Sequence, residues 1–354
     1  MISSLRVQNF RGFTDAQFEF EPGVNIIVGP NASGKTTILE GLLLAAGIGT
    51  FKGQDADLIR FESDWLRADA TLEAGSRTVK LTRQAESRTS KEYLLDGVKR
   101  IRLSQHQLLP VVLFEPQDMN LLVGDPSGRR DFLDRILTST QLGYTVLLKN
   151  YRRALAQRNR LLKQMAGQER DKGELFVWDL RLSELGGAVY LARKTLVDTI
   201  AEQFAEQYQL ISGKKEAVQL SYESDIPAQD YTNGLLKRLS ASYDKDVLRG
   251  FTGSGPHRDD ILITLRTHDA RMSASRGETR SLLLTLKLLE LREVERVFGH
   301  KPLLLLDDVF SELDGHRRRS LASTIKDYQA FITTTDADIV VKEFAQQLNV
   351  IATA

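Results

Sequence analysis

The chain has 354 residues, enough for two or more packed units, and 42% of them are hydrophobic, as is typical of a globular protein with a substantial core. Lysine plus arginine (48) balance aspartate plus glutamate (47), so the overall charge gives no evidence of a nucleic-acid partner. The lack of cysteine excludes disulfides and cysteine-ligated metals, and no run approaches the roughly 20 apolar residues that span a bilayer, so we expect a cytoplasmic protein.

Apart from one helix, residues 1 to about 120 predict mainly strands. Alternating segments at 70–72 and 78–83, the turn signal Asp96-Gly97 and an apolar run at 108–114 indicate an antiparallel β lobe. Asp125-Pro126 then predicts the start of a helix that carries GRRDFLDRIL.

Within this region, GPNASGKT at 29–36 matches the phosphate-binding pattern GxxxxGK(S/T). It follows the strand-like run VNIIV and precedes an apolar-periodic stretch at 37–46, which is the strand, loop and helix order that this motif needs. An ordinary glycine-rich turn is the alternative, which this context disfavours. We assign Lys35 to the β and γ phosphates of ATP and Thr36 to Mg²⁺. The predicted loop contacts are Gly29, Pro30, Asn31, Ala32, Ser33, Gly34, Lys35, Thr36 and Thr37.

From about 142 to 212 the pattern changes to helices, which we interpret as an arm beside the nucleotide core. A turn is predicted at 166–173 and a longer helical return at 175–208. Arg158 interrupts the apolar stripe of the first helix. The members of that stripe are Leu148, Tyr151, Leu155, Leu162 and Met165.

The most basic stretch, 149–163, lies in the arm and contains no acidic residue. A solvated helix face is the usual explanation for such charge. The alternative is contact with a nucleic-acid backbone, whose affinity would fall steeply as salt rises. The candidate DNA-binding cations are Lys149, Arg152, Arg153, Arg158, Arg160 and Lys163.

The segment GFTGSGPHRDD at 250–260 precedes the strand ILITL. Its His257, beside two aspartates, suggests a metal or acid/base site, but no second histidine lies at ligand spacing, so we favour a rigid loop. Further elements are predicted in chain order: a helix at 279–297, a strand at 303–306, a helix at 317–328, a strand at 331–334 and a short strand near Val350.

Two more motifs in this last third bear on nucleotide chemistry. SRGETR at 275–280 opens an apolar helix and offers an anion site that would reach the ATP of a second subunit, with a simple helix cap as the alternative. LLLLDD at 303–308 ends a strand in two carboxylates; a plain acidic turn is the alternative, which the four leucines before the pair and the phosphate loop elsewhere in the chain disfavour. Asp307 would meet the Mg²⁺ held by Thr36, and Asp308 would orient or deprotonate the attacking water.

The order of these motifs, together with LLLDDVFSELD and ITTTD, resembles the ABC-type ATPase heads of the SMC-like group. VQNFRGF, RRDFLD and GPHRDD, with the total length, resemble the bacterial RecF family. The resemblance implies an α/β fold: an ABC-type head with a mixed sheet around the phosphate loop and an antiparallel β lobe, interrupted by a mostly helical arm. We predict head segments at 1–141 and 251–354, with the arm at 142–250.

The resemblance also implies roles for single residues. Ser275 and Gly277 would close on the ATP of a partner chain, and SELD at 311–314 would contact that partner. Where the signature usually has Gln, this chain has Glu278, an acid close to a phosphate site that must be directed elsewhere or neutralised.

Further residues receive catalytic or binding roles by the same resemblance. Gln117 would couple the lobes to Mg²⁺ and water, Thr335 or Asp336 would stand at the γ-phosphate switch, and Arg11 would lie near the nucleotide. From the residues themselves, a plain loop or strand-end role is an equal alternative for Gln117, Thr335 and Arg11. The wider ABC group usually has Glu at the position of Asp308, and the shorter carboxylate predicts slow turnover that acts as a timer.

For function, the resemblance implies an ATP-driven homodimer that holds duplex DNA at gaps or junctions and releases it on hydrolysis. It also implies work with RecO and RecR in loading RecA, and a link to the SOS response. A transporter-coupling ATPase and a phosphate-loop kinase remain alternatives. Cofractionation with membranes would favour the first, and acceptor-dependent turnover by a monomer would favour the second.

Overall fold

The computed structural model describes residues 1–51, 53–84, 89–165, 172–344 and 348–353. Two compact units are present, the first formed by Met1–Asp118 with Leu291–Ala354 and the second by Met119–Glu290. These bounds differ from the three predicted segments, because the helix with RRDFLD and the strand after GPHRDD both pack with the arm.

The elements of the first unit before the arm are β1 Ile2–Phe10, β2 Phe13–Glu19, β3 Val24–Val28, α1 Lys35–Ala46, β4 Trp65–Leu72, β5 Gly75–Arg83, β6 Thr89–Leu95, β7 Val98–Arg100 and β8 Val111–Phe114. The second unit contains α2 Asn120–Val123, α3 Pro126–Thr140, α4 Tyr144–Met165, α5 Lys172–Ala201, α6 Phe204–Ser212, β9 Val218–Glu223, α7 Tyr231–Ala241, α8 Tyr243–Arg249, β10 Asp260–Leu265, β11 His268–Asp269 and α9 Ala270–Ser273. The division between the units falls within α10 Arg276–Phe298, after which come β12 Leu303–Asp307, α11 Gly315–Ile325, β13 Ala330–Thr334, α12 Ala337–Val341 and β14 Asn349–Ala352.

The sheet that carries the phosphate loop has the strand order β14-β3-β13-β12-β8. The expected mixed sheet is wrong, since every pairing among these strands is parallel. Their apolar runs predict burial on both faces, which parallel sheets require, but such runs do not specify strand direction. Because the strands are parallel, their carboxyl ends meet at one edge of the sheet.

A second sheet forms the predicted antiparallel lobe, in the order β2-β1-β4-β5-β6-β7. Asp96 (φ 51°) and Gly97 (φ 77°) form the predicted turn between β6 and β7, with the two positive φ angles of a type I′ hairpin. Helix α1 contacts strands of both sheets and shares one hydrophobic core with them. Gly41 of α1 allows a close approach to this lobe, because a Cβ there would lie 2.9 Å from the Leu5 side chain.

The second unit is mostly helical, but it also contains a three-stranded antiparallel sheet in the order β11-β10-β9. The predicted helical return at 175–208 is divided between α5 and α6. Most of the predicted turn at 166–173 lies outside the described residues. Sequence patterns did not identify β9, α7 or α8. Among the described helices, none is long and apolar enough to cross a membrane.

Ion pairs connect the two charged motifs of this unit. The Arg129 guanidinium donates to both carboxylate oxygens of Asp260, at 2.7 and 2.8 Å, and also to carbonyls at the end of α2. Asp134 accepts two hydrogen bonds from Arg193, which donates in turn to the Pro256 carbonyl. The RRDFLD and GPHRDD segments therefore hold each other in place.

His257 has the structural role that we favoured. One of its ring nitrogens lies 2.7 Å from the Tyr151 hydroxyl and the other 3.1 Å from the Thr252 carbonyl. Burial lowers the pKa of His257 to about 4, so the ring is neutral near pH 7. The described residues include no group of three or more histidine or acidic side chains that could hold a metal ion.

Arg158 does not face solvent, which corrects its prediction as a DNA contact. Its side chain is fully buried and donates to Asp179 at 2.6 Å and to Asp246 at 2.7 Å. The Thr252 hydroxyl accepts a third hydrogen bond at 2.9 Å. Arg158 thus belongs to the buried side of α4 and ties that helix to α5, α8 and the loop after α8, instead of interrupting an apolar face.

We predict that Arg158→Leu lowers the free energy of unfolding by about 3–5 kcal/mol, because it leaves the Asp179 and Asp246 carboxylates buried without their cation. The exposed neighbour Arg160 is the matched control, and Arg160→Leu should change stability by about 0.5 kcal/mol or less. Urea unfolding followed by circular dichroism measures both. Equal effects of the two substitutions would contradict the buried role of Arg158.

Candidate functional site

A cavity of about 650 Å³ opens at the carboxyl edge of the parallel sheet. The loop after β3 and the first turn of α1 contribute residues 31–37 to its wall, and the turn between β1 and β2 contributes Gly12 and Phe13. The remaining lining residues follow other parallel strands or end them: Pro116, Asp307, Asp308 and Thr333. Parallel pairing therefore brings distant parts of the chain to one cavity.

The loop between β3 and α1 passes through two residues with a left-handed backbone, of which one is a glycine. Ala32 (φ 67°) and Gly34 (φ 92°) adopt the left-handed region, and α1 begins directly after them at Lys35. A Cβ on Gly34 would lie 2.6 Å from the Phe13 ring, so this position excludes a side chain for two reasons. The amides at the start of α1 have no partner within the helix and can donate to an anion in the cavity.

Lys35 provides the positive charge at this wall. Its ammonium group donates to the backbone carbonyls of Gly29 and Pro30, both at 2.7 Å. An ammonium has three donors, so these two hydrogen bonds leave one donor for a phosphate oxygen. Gly29 and Pro30 thus position Lys35 and do not themselves line the cavity.

Asp307 ends β12, where two hydroxyl groups hold its carboxylate. Thr36 donates to Asp307 at 2.9 Å, and Thr333 at the end of β13 donates to the same oxygen at 2.9 Å. The carboxylate and the Thr36 hydroxyl offer the hard oxygen ligands that Mg²⁺ prefers. A Mg²⁺ ion held by these two groups would take its remaining ligands from phosphate oxygens and water.

Asp308 lines the cavity from a left-handed backbone conformation, with φ 54°. Its amide donates to the Thr333 hydroxyl at 2.9 Å, and its carboxylate accepts from Ser311 at 2.6 Å. For a non-glycine residue this φ is uncommon and is maintained by surrounding contacts. Asp308 therefore lines the cavity next to Asp307, with its carboxylate held by Ser311.

The structure does not bring every predicted residue to the cavity wall. Gln117 is exposed next to the lining residue Pro116. Thr335 is exposed, and the Asp336 carboxylate caps α12 by accepting from the Asp338 amide at 3.0 Å. Their catalytic roles stay predictions.

Arg11, which was predicted to lie near the nucleotide, pairs with an acidic side chain of α1. Its guanidinium forms a bidentate ion pair with Glu40 of α1, at 2.5 and 2.7 Å, and the Glu40 side chain is almost fully buried. Arg11 thereby fixes the position of the turn whose next two residues, Gly12 and Phe13, line the cavity. A direct contact of Arg11 with nucleotide stays a prediction.

Sequence reasoning missed Thr333, Gly12, Phe13 and Pro116 as lining residues. Thr333 lies two residues before the predicted switch position, within the same ITTTD motif. The parallel register pairs Thr333 with Asp307, which is the reason that Thr333 and not Thr335 reaches the acidic pair. The identity of the neighbouring strand is the signal that would have found it.

The predicted signature lies in the second unit, at the start of α10. Ser275 and Glu278 form a capping box: the Glu278 carboxylate accepts from the Ser275 amide at 2.8 Å, and the Ser275 hydroxyl accepts from the Glu278 amide at 3.4 Å. Arg266 also pairs with Glu278. These contacts, first the Ser275 amide, hold the pKa of Glu278 below its usual range, so the carboxylate stays ionised, and Arg266 compensates its charge. Ser275 is exposed and Gly277 half-buried.

The chain is similar to known proteins over nearly its whole length. A family model described as the RecF/RecN/SMC N terminal domain matches residues 1–353. The DNA replication and repair protein RecF of Streptococcus gordonii is 38% identical over 343 residues, which cover 94% of this chain and 93% of that protein.

Solved structures agree with this similarity. The structure of the recombination mediator protein RecF-ATPrS in the RecFOR pathway matches with a TM-score of 0.87 at 28% identity, covering 99% of this chain and 96% of the other. An Smc head bound to the C-winged helix domain of ScpA matches with a TM-score of 0.56 at 15% identity, covering 99% and 93%, and shows the fold alone. The predicted α/β fold of an ABC-type ATPase head is thereby confirmed.

We predict that Gly34→Ala weakens binding of a fluorescent nucleoside triphosphate at least tenfold, because the new methyl group meets the Phe13 ring and requires a strained φ. Gly23→Ala is the matched control, since a Cβ on Gly23 has no neighbour within 4 Å and should leave affinity unchanged. Fluorescence titration gives both dissociation constants. Wild-type affinity in Gly34→Ala would contradict the proposed conformation of the loop.

Proposed function

This chain belongs to the RecF family of DNA replication and repair proteins, and we propose that it is an ATP-dependent DNA-binding ATPase of recombinational repair and replication restart. ATP closes two chains into a dimer around duplex DNA at a gap or junction. Hydrolysis then opens the dimer and releases the DNA. In this role the protein acts in the cytoplasm and helps RecO and RecR to load RecA.

The observation that carries this proposal is the shared cavity of the phosphate loop and the acidic pair. Lys35 and the first amides of α1 bind the phosphates, while Thr36 and Asp307 are in contact at 2.9 Å and would hold Mg²⁺. When bound, Mg²⁺ neutralises charge on the phosphate oxygens. Asp308, placed on the same wall, accepts a proton from the attacking water or orients it.

The proposed dimer rests on the resemblance of SRGETR to a signature that closes on the ATP of a second chain; the motif belongs to the second compact unit and the phosphate loop to the first. The capped end of α10 leaves Ser275 exposed, so that it is accessible to the ATP of a second chain. The predicted dimer-contact loop at 311–314 supports a coupling between dimer contact and hydrolysis, because Ser311 of this loop donates to the Asp308 carboxylate at 2.6 Å. A partner contact that moves this loop therefore also moves the Asp308 carboxylate.

The DNA contact rests on one face of α4. Successive residues of a helix are rotated by about 100° around its axis. By this geometry, four exposed cations of α4 lie within a sector about 80° wide and about 20 Å long, on the side opposite the buried Arg158. They are Lys149, Arg153, Arg160 and Lys163. Arg152 is also exposed but lies 3.4 Å from Asp134 and 3.5 Å from Asp131, so part of its charge is compensated within the chain. A narrow cationic stripe matches the phosphate backbone of duplex DNA.

We predict that a fluorescently labelled gapped duplex binds tightly with ATP and weakly with ADP or without nucleotide, as measured by anisotropy at moderate salt. Lys35→Met should abolish ATP-driven pairing and DNA binding. Ser275→Arg should retain ATP but prevent pairing, and the exposed Ser240→Arg on α7 is its control. Equal DNA binding in all three nucleotide states would overturn the ATP-gated clamp.

The α4 stripe is tested in the same assay. Replacing Lys149, Arg153 and Arg160 together with Gln should weaken DNA binding and reduce the dependence of log affinity on log salt by about 0.9 for each phosphate that the variant no longer neutralises. The control replaces three exposed cations elsewhere in the second unit, Lys214, Lys215 and Lys245. If the two triple variants bind DNA equally weakly, the DNA contact is not specific to α4.

We also propose that ATP turnover is slow and times the release of DNA. The carboxylate of Asp308 is one methylene shorter than Glu, which limits its hold on the water. Asp308→Glu should therefore raise the steady-state hydrolysis rate, and Asp308→Asn, which removes the base, should lower it. An unchanged or lower rate for Asp308→Glu would end the timer proposal.

A further inference from the structure

The last strand, β14, lies beside the strand that leads into the phosphate loop. Its parallel pairing with β3 runs from Asn349 opposite Asn25 to Ala352 opposite Val28. The next residue, Thr353, donates its amide hydrogen to the Val28 carbonyl at 2.8 Å. The pairing therefore continues to the last residue before the loop begins at Gly29.

The Thr353 side chain reaches further into the loop. Its hydroxyl lies 2.6 Å from the Ser33 hydroxyl and 3.2 Å from the Val28 carbonyl. A hydroxyl has one hydrogen, so a Thr353 that donates to Val28 accepts from Ser33. This chain of hydrogen bonds joins Ser33 of the loop to Val28, the strand residue just before the loop, and Thr353 is 8% exposed.

The first glycine of the loop gives an independent sign of this close fit. A Cβ on Gly29 would lie 2.2 Å from the Thr353 hydroxyl oxygen and 2.5 Å from its carbonyl oxygen. Both distances are far below a normal contact, so any side chain at position 29 would displace Thr353. Gly29 also provides one of the two carbonyls that hold the Lys35 ammonium group.

We propose that Thr353 is a positioning residue of the nucleotide site, an inference that rests on the proposed ATP binding. By bracing the loop between Val28 and Ser33, it sets the loop amides and Lys35 before the nucleotide arrives. A loop that is already ordered loses less conformational entropy on binding, so the brace acts on affinity for ATP. Thr353 does not line the cavity in the described structure and takes no part in the chemical step.

The decisive variant is Thr353→Val, which keeps the shape of the side chain and removes its hydroxyl. The dissociation constant for a fluorescent ATP analogue and the KM for ATP should rise about three- to tenfold, the range for loss of one hydrogen bond, while kcat stays within about twofold. Thr353→Ser, which retains the hydroxyl, should restore wild-type affinity. A purely structural role would lower thermal stability without this division between KM and kcat.

A double-mutant cycle with Ser33→Ala isolates the contact itself. Ser33→Ala alone should also weaken binding, and Thr353→Val should then have no further effect. If the losses of affinity in the two variants are additive, the proposed role of Thr353 is wrong. It is also wrong if Thr353→Val binds with unchanged affinity while Lys35→Met abolishes binding. Either result would leave the proposed function intact. A wild-type chain that does not bind ATP would overturn the proposed function and this inference together.

Discussion

The parallel pairing of five strands is the constraint on which the site depends. Since all five run in one direction, their carboxyl ends meet at one edge, where backbone groups and side chains converge without any long-range folding of loops. The phosphate loop, Asp307, Thr333 and Pro116 all follow strands of this sheet or end them. Thr353 also directly follows a strand of the same sheet, and it is 320 residues from Ser33 of the loop that it contacts.

At that edge, hydroxyl groups set the positions of the charged groups. Thr36 and Thr333 hold Asp307, Thr333 also accepts from the Asp308 amide, and Ser311 donates to the Asp308 carboxylate. The second unit uses charge for a similar purpose, since Arg129, Arg158 and Arg193 each join segments that are far apart in sequence through buried or half-buried aspartates. Such pairs are costly to break, which makes them effective in defining one arrangement of helices.

How far the sequence could be interpreted depended on whether a signal was local. The strand, loop and helix around Lys35 and the acidic end of β12 were correctly located, because the residues that define each motif are neighbours in the sequence. The position of Arg158 within the apolar stripe of its helix already indicated that it faces inward, but its partners Asp179 and Asp246, which make burial of the charge possible, lie 21 and 88 residues away, so it was misjudged as a DNA contact. The strand direction in the sheet was also misjudged, since apolar runs specify burial and not orientation.

By itself, the sequence determined the phosphate loop, the acidic pair, the antiparallel lobe with its Asp96-Gly97 turn and the helical character of the arm, since all of these depend on neighbours within a few residues. Only the tertiary structure decided that Thr333 donates to Asp307, that Arg11 forms an ion pair with Glu40, and that Thr353 hydrogen-bonds to Ser33. These contacts depend on which strands become neighbours and in what register. That choice is made by packing over the whole chain, because the hydrogen-bonding groups of one strand do not specify which other strand will satisfy them.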